Sequence, residues 1–220
     1  GFHMYDLGII NGEVWLDGGY INTNLYVKDG RIAAISSDKL ECIDNIDVSG
    51  KKILPGFIDP HVHFSLTVAG NTSTDDFHTG SINGLMGGVT TYIDFLDPVK
   101  KKVDYKAAFD ERLALAENSA SDYAFHGCFA NPTDCAEDMI KEGLKYGISS
   151  IKLFTTYSNT DRRTYDDYIR ELLKLSKMYN VRIVIHVEND NLVDYGNEIL
   201  IADHEKSRDT LCETTEVIKL

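Results

Sequence analysis

From residue 56 onward, short β-branched or aromatic segments alternate with helical segments, and this alternation constrains the fold more than any other feature of the sequence. The predicted strands are 56–61, 90–95, 123–129, 150–154 and 181–187. The predicted helices begin near Thr74, Tyr105, Thr133 and Thr164, and a last one follows Arg208 and Asp209. Ser or Thr before a helix, acids in its first turn and Gly after it are usual helix boundaries. A strand and helix repeat of roughly 30 residues predicts an α/β fold with parallel strands joined by helices.

Two α/β architectures agree with this repeat. A closed (β/α)8 TIM-like barrel needs eight strands and typically about 250 residues, so five strands would be only its first part. An open doubly wound sheet can be complete with five strands, but no G-x-G-x-x-G or P-loop follows the first strand, so nucleotide binding has no support. The segment from Leu211 to Leu220 has the pattern of a helix without a cap. We therefore predict a truncated chain in which residues 55–220 form the first part of a barrel.

The sequence before the repeat has a different pattern. Segments 5–11, 24–28 and 31–35 are apolar-rich and carry no helix signal. Asp29 and Gly30, between the last two segments, are a strong hairpin signal. We predict that residues 4–54 form the N-terminal part of a small β-sandwich domain. Gly1, Phe2 and His3 precede Met4 and are interpreted as a cloning remnant, so His3 is excluded from the candidate site.

Composition and charge limit the classes of partner. A net charge of −13 over 220 residues argues against nucleic acid and anionic membranes as partners. A hydrophobic content of 43% predicts a globular chain. No apolar stretch approaches the roughly 18 residues of a membrane span, and no signal peptide is evident. The cysteines lack C-x-x-C spacing and are interpreted as reduced, mostly buried thiols of a cytoplasmic protein; they are Cys42, Cys128, Cys135 and Cys212.

Three predicted strands carry side chains that could bind a metal. His61 and His63 end the apolar run of the first strand, and residues i and i+2 of a strand share a face, so both imidazoles could bind one ion. Lys152 lies in the fourth strand and His186 in the fifth, each within an apolar run. The C-terminal ends of the strands carry the active site of a βα barrel. This edge of the sheet is therefore the predicted metal site.

Each of these side chains also has a structural interpretation. The two N-terminal histidines could be solvated at a strand end, and His186 could be a hydrogen-bonded core residue. Lys152 could be paired with an acid, because lysine is almost never buried without a partner. A metal ion would repel its ammonium group. A lysine carbamylated by CO2 would instead be an anion with two oxygen atoms that can bridge two cations.

Other polar residues near the strand ends are weaker candidates. Asp59 is expected to orient a loop, and Asp94 is a candidate partner for a ligand histidine. His126 is expected to lie in the core or behind the ligands, and His78 at the surface. Glu188 is a candidate partner for a ligand histidine or a helix cap.

Several segments resemble one family. Residues 55–63 (PGFIDPHVH) resemble the first-strand signature of the amidohydrolase superfamily. Five other segments resemble the hydantoinase/dihydropyrimidinase branch of this superfamily: residues 74–80 (TDDFHTG), 87–95 (GGVTTYIDF), 151–157 (IKLFTTY), 186–189 (HVEN) and 204–208 (HEKSR). The likeness runs from about Tyr5 to the end of the chain. FSLT follows His63, where allantoinases and dihydroorotases usually have an Arg-Glu-Pro-Gly type loop, which argues against their substrates.

The resemblance implies a centre of two divalent metal ions, with zinc as the expected metal. His61 and His63 would bind the more buried ion, His186 would bind the second, and carbamylated Lys152 would bridge both. Tyr157 would hydrogen-bond the oxyanion of the tetrahedral intermediate. The family also uses a histidine on strand six and an aspartate on strand eight, which this chain does not contain.

The implied function is hydrolysis of a small cyclic amide of the hydantoin or dihydropyrimidine type by a metal-bridging hydroxide. Relatives are often tetramers, so a homo-oligomer, tetramer or dimer, is implied as well. Three alternatives stay open: a non-catalytic dihydropyrimidinase-related scaffold protein, an inactive truncated fragment, and a five-stranded open α/β binding protein. The 220-residue chain alone is expected to have incomplete metal coordination and little or no turnover.

Overall fold

The computed structural model of this protein describes residues 4–196 and 200–220, so the interpretation of Gly1, Phe2 and His3 lies outside the described residues. The chain divides into two compact units, Gly1–Gly56 and Phe57–Leu220. The first unit contains β1 (Tyr5–Leu16), β2 (Gly19–Lys28), β3 (Arg31–Ser36), β4 (Cys42–Asp47) and β5 (Lys52–Ile53). The strands of the second unit are β6 (Phe57–Asp59), β7 (Thr67–Val68), β8 (Asn71–Thr72), β9 (Val89–Phe95), β10 (Asp122–Cys128), β11 (Ser150–Phe154) and β12 (Arg182–His186). Its helices are α1 (Phe77–Met86), α2 (Tyr105–Leu115), α3 (Ala136–Lys145), α4 (Asp166–Tyr179), α5 (His204–Ser207) and α6 (Thr210–Lys219).

The strands of the first unit form one sheet in the order β3-β2-β1-β4, and β5 also pairs with β1. Asp29 and Gly30 join β2 to β3 with φ angles of 51° and 72°, as in a two-residue hairpin turn, so the predicted hairpin is confirmed. Asp17 and Gly18 make the same kind of turn between β1 and β2, a hairpin that the predicted strands do not include. The described residues of this unit form a single sheet, and the second sheet that a sandwich needs stays a prediction.

Five parallel strands form the main sheet of the second unit, in the order β12-β11-β10-β9-β6. Each strand pairs with the next strand of this sheet along the chain. In a doubly wound sheet the strand order reverses at a switch point, whereas the successive βα units of a barrel place neighbouring strands side by side. The α/β prediction is confirmed, and the strand order favours the barrel arrangement over the open doubly wound sheet.

Local signals fix the ends of several helices. Asp76 caps α1 by accepting a hydrogen bond from the Thr79 N–H at 2.8 Å, and Thr79 Oγ1 accepts the Asp76 N–H at 3.2 Å. This reciprocal pair is a capping box. Asn180 ends α4 in the left-handed conformation, with φ of 52°. In the part of the chain that is described, no helix has the length and hydropathy to cross a bilayer.

The core of the second unit lies between its sheet and its helices. Fully buried side chains include Phe77, Leu96, Tyr105, Phe129, Met139, Ile140, Ile151, Leu153, Ile169 and Leu172. In α4, Ile169 and Leu172 lie three residues apart on one helix face, which is the spacing of an amphipathic helix. This packing holds the C-terminal ends of the strands in fixed positions.

The hydroxyl of Tyr105 has no hydrogen-bond partner among the described residues, although the side chain is fully buried. It packs against Gly127 and Gly143, where a Cβ would collide with it. A buried hydroxyl without a partner has lost its hydrogen bonds to water, so Tyr105→Phe is expected to raise the free energy of unfolding by about 1 kcal/mol. Urea denaturation measures the change, with Tyr20→Phe, at an exposed ring, as the control. A lower stability for Tyr105→Phe would contradict this account of the core.

Candidate active site

His61 and His63 lie in the loop that follows β6, because the strand ends at Asp59, two residues before its predicted end. The Asp59 carboxylate accepts a hydrogen bond from the His61 N–H at 3.1 Å and so orients this loop. The two Nε2 atoms are 3.3 Å apart. Both rings pack against Phe95, with centroid distances of 4.7 and 4.6 Å. The two imidazoles therefore converge on one point from the loop after the strand.

Lys152 is 8% exposed in the middle of β11. Its Nζ lies 5.3 Å from the centroid of the Phe154 ring, and no carboxylate in residues 4–196 and 200–220 pairs with it, so the acid partner of its structural interpretation is not found there. Burial lowers the pKa of Lys152. Burial also lowers the pKa values of His61 and His63, and the charge of Lys152 lowers both further. The amine is therefore close enough to both imidazoles to affect their charge.

His186 ends β12 and is paired with Phe154 across the β11–β12 ladder. Its Nε2 contacts Oε1 of Glu188, and Tyr157 Oη lies 3.4 Å from the same nitrogen. Arg208 Nη1 is 3.4 Å from that Glu188 oxygen. Histidines that bind metals usually donate their other ring N–H to a carboxylate or carbonyl. Because Glu188 engages Nε2, Nδ1 is the nitrogen of His186 that suits an ion.

Tyr157 follows β11 with φ of 67°, a left-handed conformation that a tyrosine keeps only where its surroundings hold it. The Tyr195 hydroxyl accepts the Tyr157 N–H at 2.8 Å and donates to Asp190 Oδ1 at 2.6 Å. Asp190 also accepts from the N–H and the hydroxyl of Ser158, at 3.2 and 2.6 Å. The buried Asp190 carboxylate thus fixes the loop that carries the Tyr157 ring.

The five side chains predicted for the site line one cavity of about 730 Å³, and they are His61, His63, Lys152, Tyr157 and His186. Its apolar lining includes Leu66, Val68, Phe95, Leu115 and Phe154. A concave, mostly apolar cavity of this volume with a few converging polar groups is typical of a small-molecule site.

His126 is buried next to the backbone that precedes the histidine pair. Its Nε2–H donates to the Pro60 carbonyl at 2.7 Å, and its Nδ1 is 2.5 Å from Ser150 Oγ. Both ring nitrogens are therefore engaged with protein atoms. His126 holds the backbone immediately before His61, in agreement with the predicted core position.

Within residues 4–196 and 200–220, no hydrogen bond joins Asp94 to a histidine, so the structure contradicts that candidate role. Its carboxylate instead accepts the backbone N–H groups of Phe64 and Phe95, at 3.1 and 2.6 Å. Burial raises the pKa of Asp94 to about 6, and the two N–H groups only partly oppose the rise. Asp94 thus holds the backbone of the loop after β6, at Phe64, and the end of β9, at Phe95. His78 is exposed, as predicted.

The cavity lining also includes side chains that are not identified from the sequence, among them Arg112, Cys128 and Arg162. Cys128 could have been identified from the sequence as a residue at the end of a predicted strand, because it ends β10 and pairs with Lys152 in the parallel ladder. Arg112 comes from α2 and Arg162 from the loop after β11. Neither position is marked by a strand-end pattern.

The donor set fits one side of a metal centre. His61 and His63 present two imidazole nitrogens to one point, and imidazole suits zinc and related ions. His186 has a carboxylate behind it, as metal-binding histidines usually do. Among the described residues, no group of three or more His, Cys, Asp or Glu side chains is placed to hold an ion.

A sequence profile of the Amidohydrolase family matches residues 53–215, and the chain belongs to this family. Within it, the chain is similar to enzymes named hydantoinase and dihydropyrimidinase. The D-hydantoinase of Geobacillus stearothermophilus is 31% identical over 197 residues, which are 89% of this chain and 42% of the relative. The solved D-hydantoinase (dihydropyrimidinase) of Thermus sp. superposes with a TM-score of 0.85 at 30% identity, over 97% of this chain and 48% of that chain.

A dihydroorotase of Methanothermobacter thermautotrophicus is similar to a comparable degree, at 32% identity over 191 residues, 86% of this chain and 41% of the relative. Overall identity therefore does not separate these relatives, and the expectation drawn from the loop after His63 stays a prediction. The chain spans less than half the length of each of these three relatives.

Proposed function

We propose that this chain is the N-terminal part of a metal-dependent hydrolase that opens the amide bond of small cyclic amides of the hydantoin or dihydropyrimidine type. The observation that carries the proposal is that side chains from three separate segments, the loop after β6 with His61 and His63, β11 with Lys152 and β12 with His186, line one cavity. In a complete (β/α)8 barrel this cavity would lie at the C-terminal face, where such enzymes hold their active sites.

The metal centre is the first element of the proposed mechanism. His61 and His63 would hold one divalent ion, zinc in the first instance, and His186 would hold the second. Lys152 would lie between them as a carbamate, since only a neutral amine reacts with CO2 and burial lowers the pKa of Lys152. When bound, two such ions lower the pKa of water and polarise a carbonyl.

The chain's own residues supply orientation and charge stabilisation. The Tyr157 hydroxyl would donate a hydrogen bond to the amide oxygen as negative charge develops on it. Asp190 supports this role because it fixes the Tyr157 loop through Ser158 and Tyr195. The rings of Phe95 and Phe154 line the cavity and reduce the access of bulk water.

The wider proposal covers the whole protein. A small β-sandwich would include the sheet of β1 to β5, and the protein would form a homo-oligomer. The four cysteines are free thiols, which supports a reducing, cytoplasmic location.

A hydrolysis screen tests the function. The full-length protein is incubated with dihydrouracil, hydantoin and 5-substituted hydantoins, and the ring-opened products are measured by chromatography. Ring opening of at least one of these cyclic amides is expected. A metal-loaded protein that opens none of them would contradict the proposal and favour the non-catalytic scaffold.

Glu188→Gln is expected to weaken metal affinity by about 10- to 100-fold, which is the usual effect of losing the group that orients a metal-binding histidine. The carboxylate fixes the Nε2–H of His186, and a neutral amide would hold that proton less strongly. Competition with a metal-sensitive chelating dye measures the change. The matched control is Glu171→Gln on the exposed surface of α4. Equal affinities for Glu188→Gln and wild type would show that Glu188 does not support a metal ligand.

A further inference from the structure

Three consecutive charged residues follow the turn that begins at Tyr157. The first, Asp161, forms an ion pair with Lys100 and accepts a hydrogen bond from Asn131 Nδ2 at 2.6 Å. The third, Arg163, forms an ion pair with the buried Asp190 at 3.2 Å. These two side chains bind the loop to the rest of the unit, so the backbone of the residue between them is held in place.

The residue between them is Arg162, whose backbone N–H donates to the Tyr157 carbonyl at 3.1 Å. Its side chain is half-buried and lines the same cavity as the histidines. Across residues 4–196 and 200–220, no carboxylate forms an ion pair with its guanidinium group. Burial raises the pKa of the Cys128 thiol in the cavity wall to about 12, and the charges of Lys152 and Arg162 oppose that rise. The charge of Arg162 therefore acts inside the cavity.

The other two cationic side chains of the cavity wall, Arg112 and Lys152, already have a partner or an assigned role. Arg112 is buried, donates to the Phe64 carbonyl at 2.8 Å and forms an ion pair with Asp97 at 2.8 Å. Lys152 is assigned to the proposed metal centre. Arg162 is thus a fixed cation of the cavity that the proposed mechanism does not use, in a chain whose net charge is −13.

We propose that Arg162 selects cyclic amides that carry a carboxylate on their ring substituent. A guanidinium group presents a planar fork of N–H donors that matches the two oxygens of a carboxylate. The cavity of about 730 Å³ is at the size of sites that hold a ring together with a substituent. Because the backbone of Arg162 is held by its neighbours, binding would have to order only its side chain. This inference names the substrate class of the proposed hydrolase and rests on that function.

The test compares two substrates of nearly equal shape, 5-(2-carboxyethyl)hydantoin and its neutral carboxamide 5-(2-carbamoylethyl)hydantoin. For the full-length wild-type protein, kcat/KM is expected to be higher for the carboxylate. Arg162→Gln is expected to lower the ratio of the two kcat/KM values by about 10- to 100-fold, the range for a hydrogen-bonded charge pair. The ratio for Arg162→Lys is expected to lie between the ratios of the wild type and Arg162→Gln, because lysine keeps the charge and loses the fork of N–H donors. Arg170→Gln, on the exposed face of α4, is the control and should keep the wild-type ratio.

A second measurement separates this inference from the hydrolase proposal. Glutarate binding to the full-length protein is measured by titration calorimetry, and Arg162→Gln is expected to weaken it by a similar factor. If cyclic amides are opened without preference for the carboxylate, or if Arg162→Gln leaves the ratio unchanged, the selectivity inference fails while the hydrolase proposal stands. If no cyclic amide is opened, glutarate binding decides: weaker binding by Arg162→Gln supports anion recognition, and equal binding overturns it.

Discussion

Replacement of Lys152 by methionine is expected to remove bound metal from the full-length protein and to lower kcat/KM for cyclic amides by more than about 10³-fold. Methionine keeps an unbranched side chain of similar length but cannot form a carbamate. Without the bridging anion, the imidazoles of His61, His63 and His186 would face two cations with too little negative charge among them. Metal catalysis contributes several kcal/mol of transition-state stabilisation, and about 1.4 kcal/mol is tenfold in rate. Elemental analysis and a ring-opening assay measure the two effects.

Lys174→Met is the matched control for this experiment, since Lys174 is exposed on α4. It should keep wild-type metal content and activity. Circular dichroism of Lys152→Met establishes that the fold is retained, and we expect it to be, because a buried lysine without an acid partner is replaced by an apolar side chain. Full metal content and activity within about tenfold of wild type in Lys152→Met would exclude the proposed bridging role.

Tyr157→Phe is expected to lower kcat by about 100-fold and to leave the metal content unchanged. The hydroxyl would donate to an oxygen that becomes negative only in the transition state, and loss of one such donor typically has this effect. Because the interaction is stronger in the transition state than in the ground state, KM should change much less than kcat. Steady-state kinetics with hydantoin measures both values.

The control for Tyr157→Phe is Tyr165→Phe, which lies further along the same loop with half of its surface exposed. Its kinetics should match those of the wild type. The Tyr157 hydroxyl also lies 3.4 Å from His186 Nε2, so metal analysis of Tyr157→Phe distinguishes loss of oxyanion stabilisation from loss of a metal-ligand contact. A kcat within about threefold of wild type would contradict the role proposed for Tyr157.

The architecture of the second unit follows from local sequence patterns. Parallel strands that are covered on both faces give nearly continuous apolar runs, and these stand out between helical segments. The ends of elements are less well predicted, because they depend on partners that are distant in sequence. The pairing of the first strand with β9 stops at Asp59, and the next residue is Pro60, which has no backbone N–H to donate. The third helix begins at Ala136, three residues after the predicted Thr133.

The proposed ligands could be predicted because each stands out chemically in its segment. His61, His63, Lys152 and His186 are polar residues within or just after apolar strands. The supporting contacts between residues far apart in the sequence could not be predicted in this way. Asp190 reaches Ser158 across 32 residues, and Tyr195 reaches Tyr157 across 38.

The position of Arg162 in the cavity could not be predicted from the sequence either. Its sequence context, between Asp161 and Arg163, is that of an ordinary polar loop. Its significance depends on which of the three charges finds a partner within the protein and which one faces the cavity. That distribution is set by Lys100 and Asp190, which come from other parts of the chain.

The most direct test of the metal-dependent mechanism is a metal reconstitution titration of the full-length protein. Metal is removed with a chelator, zinc is then added in steps in the presence of bicarbonate as a source of CO2, and hydantoin opening is followed. Activity should be absent in the metal-free protein and should reach its plateau at about two zinc ions per chain. Full activity in the metal-free protein, or a plateau reached without any bound metal, would contradict the account.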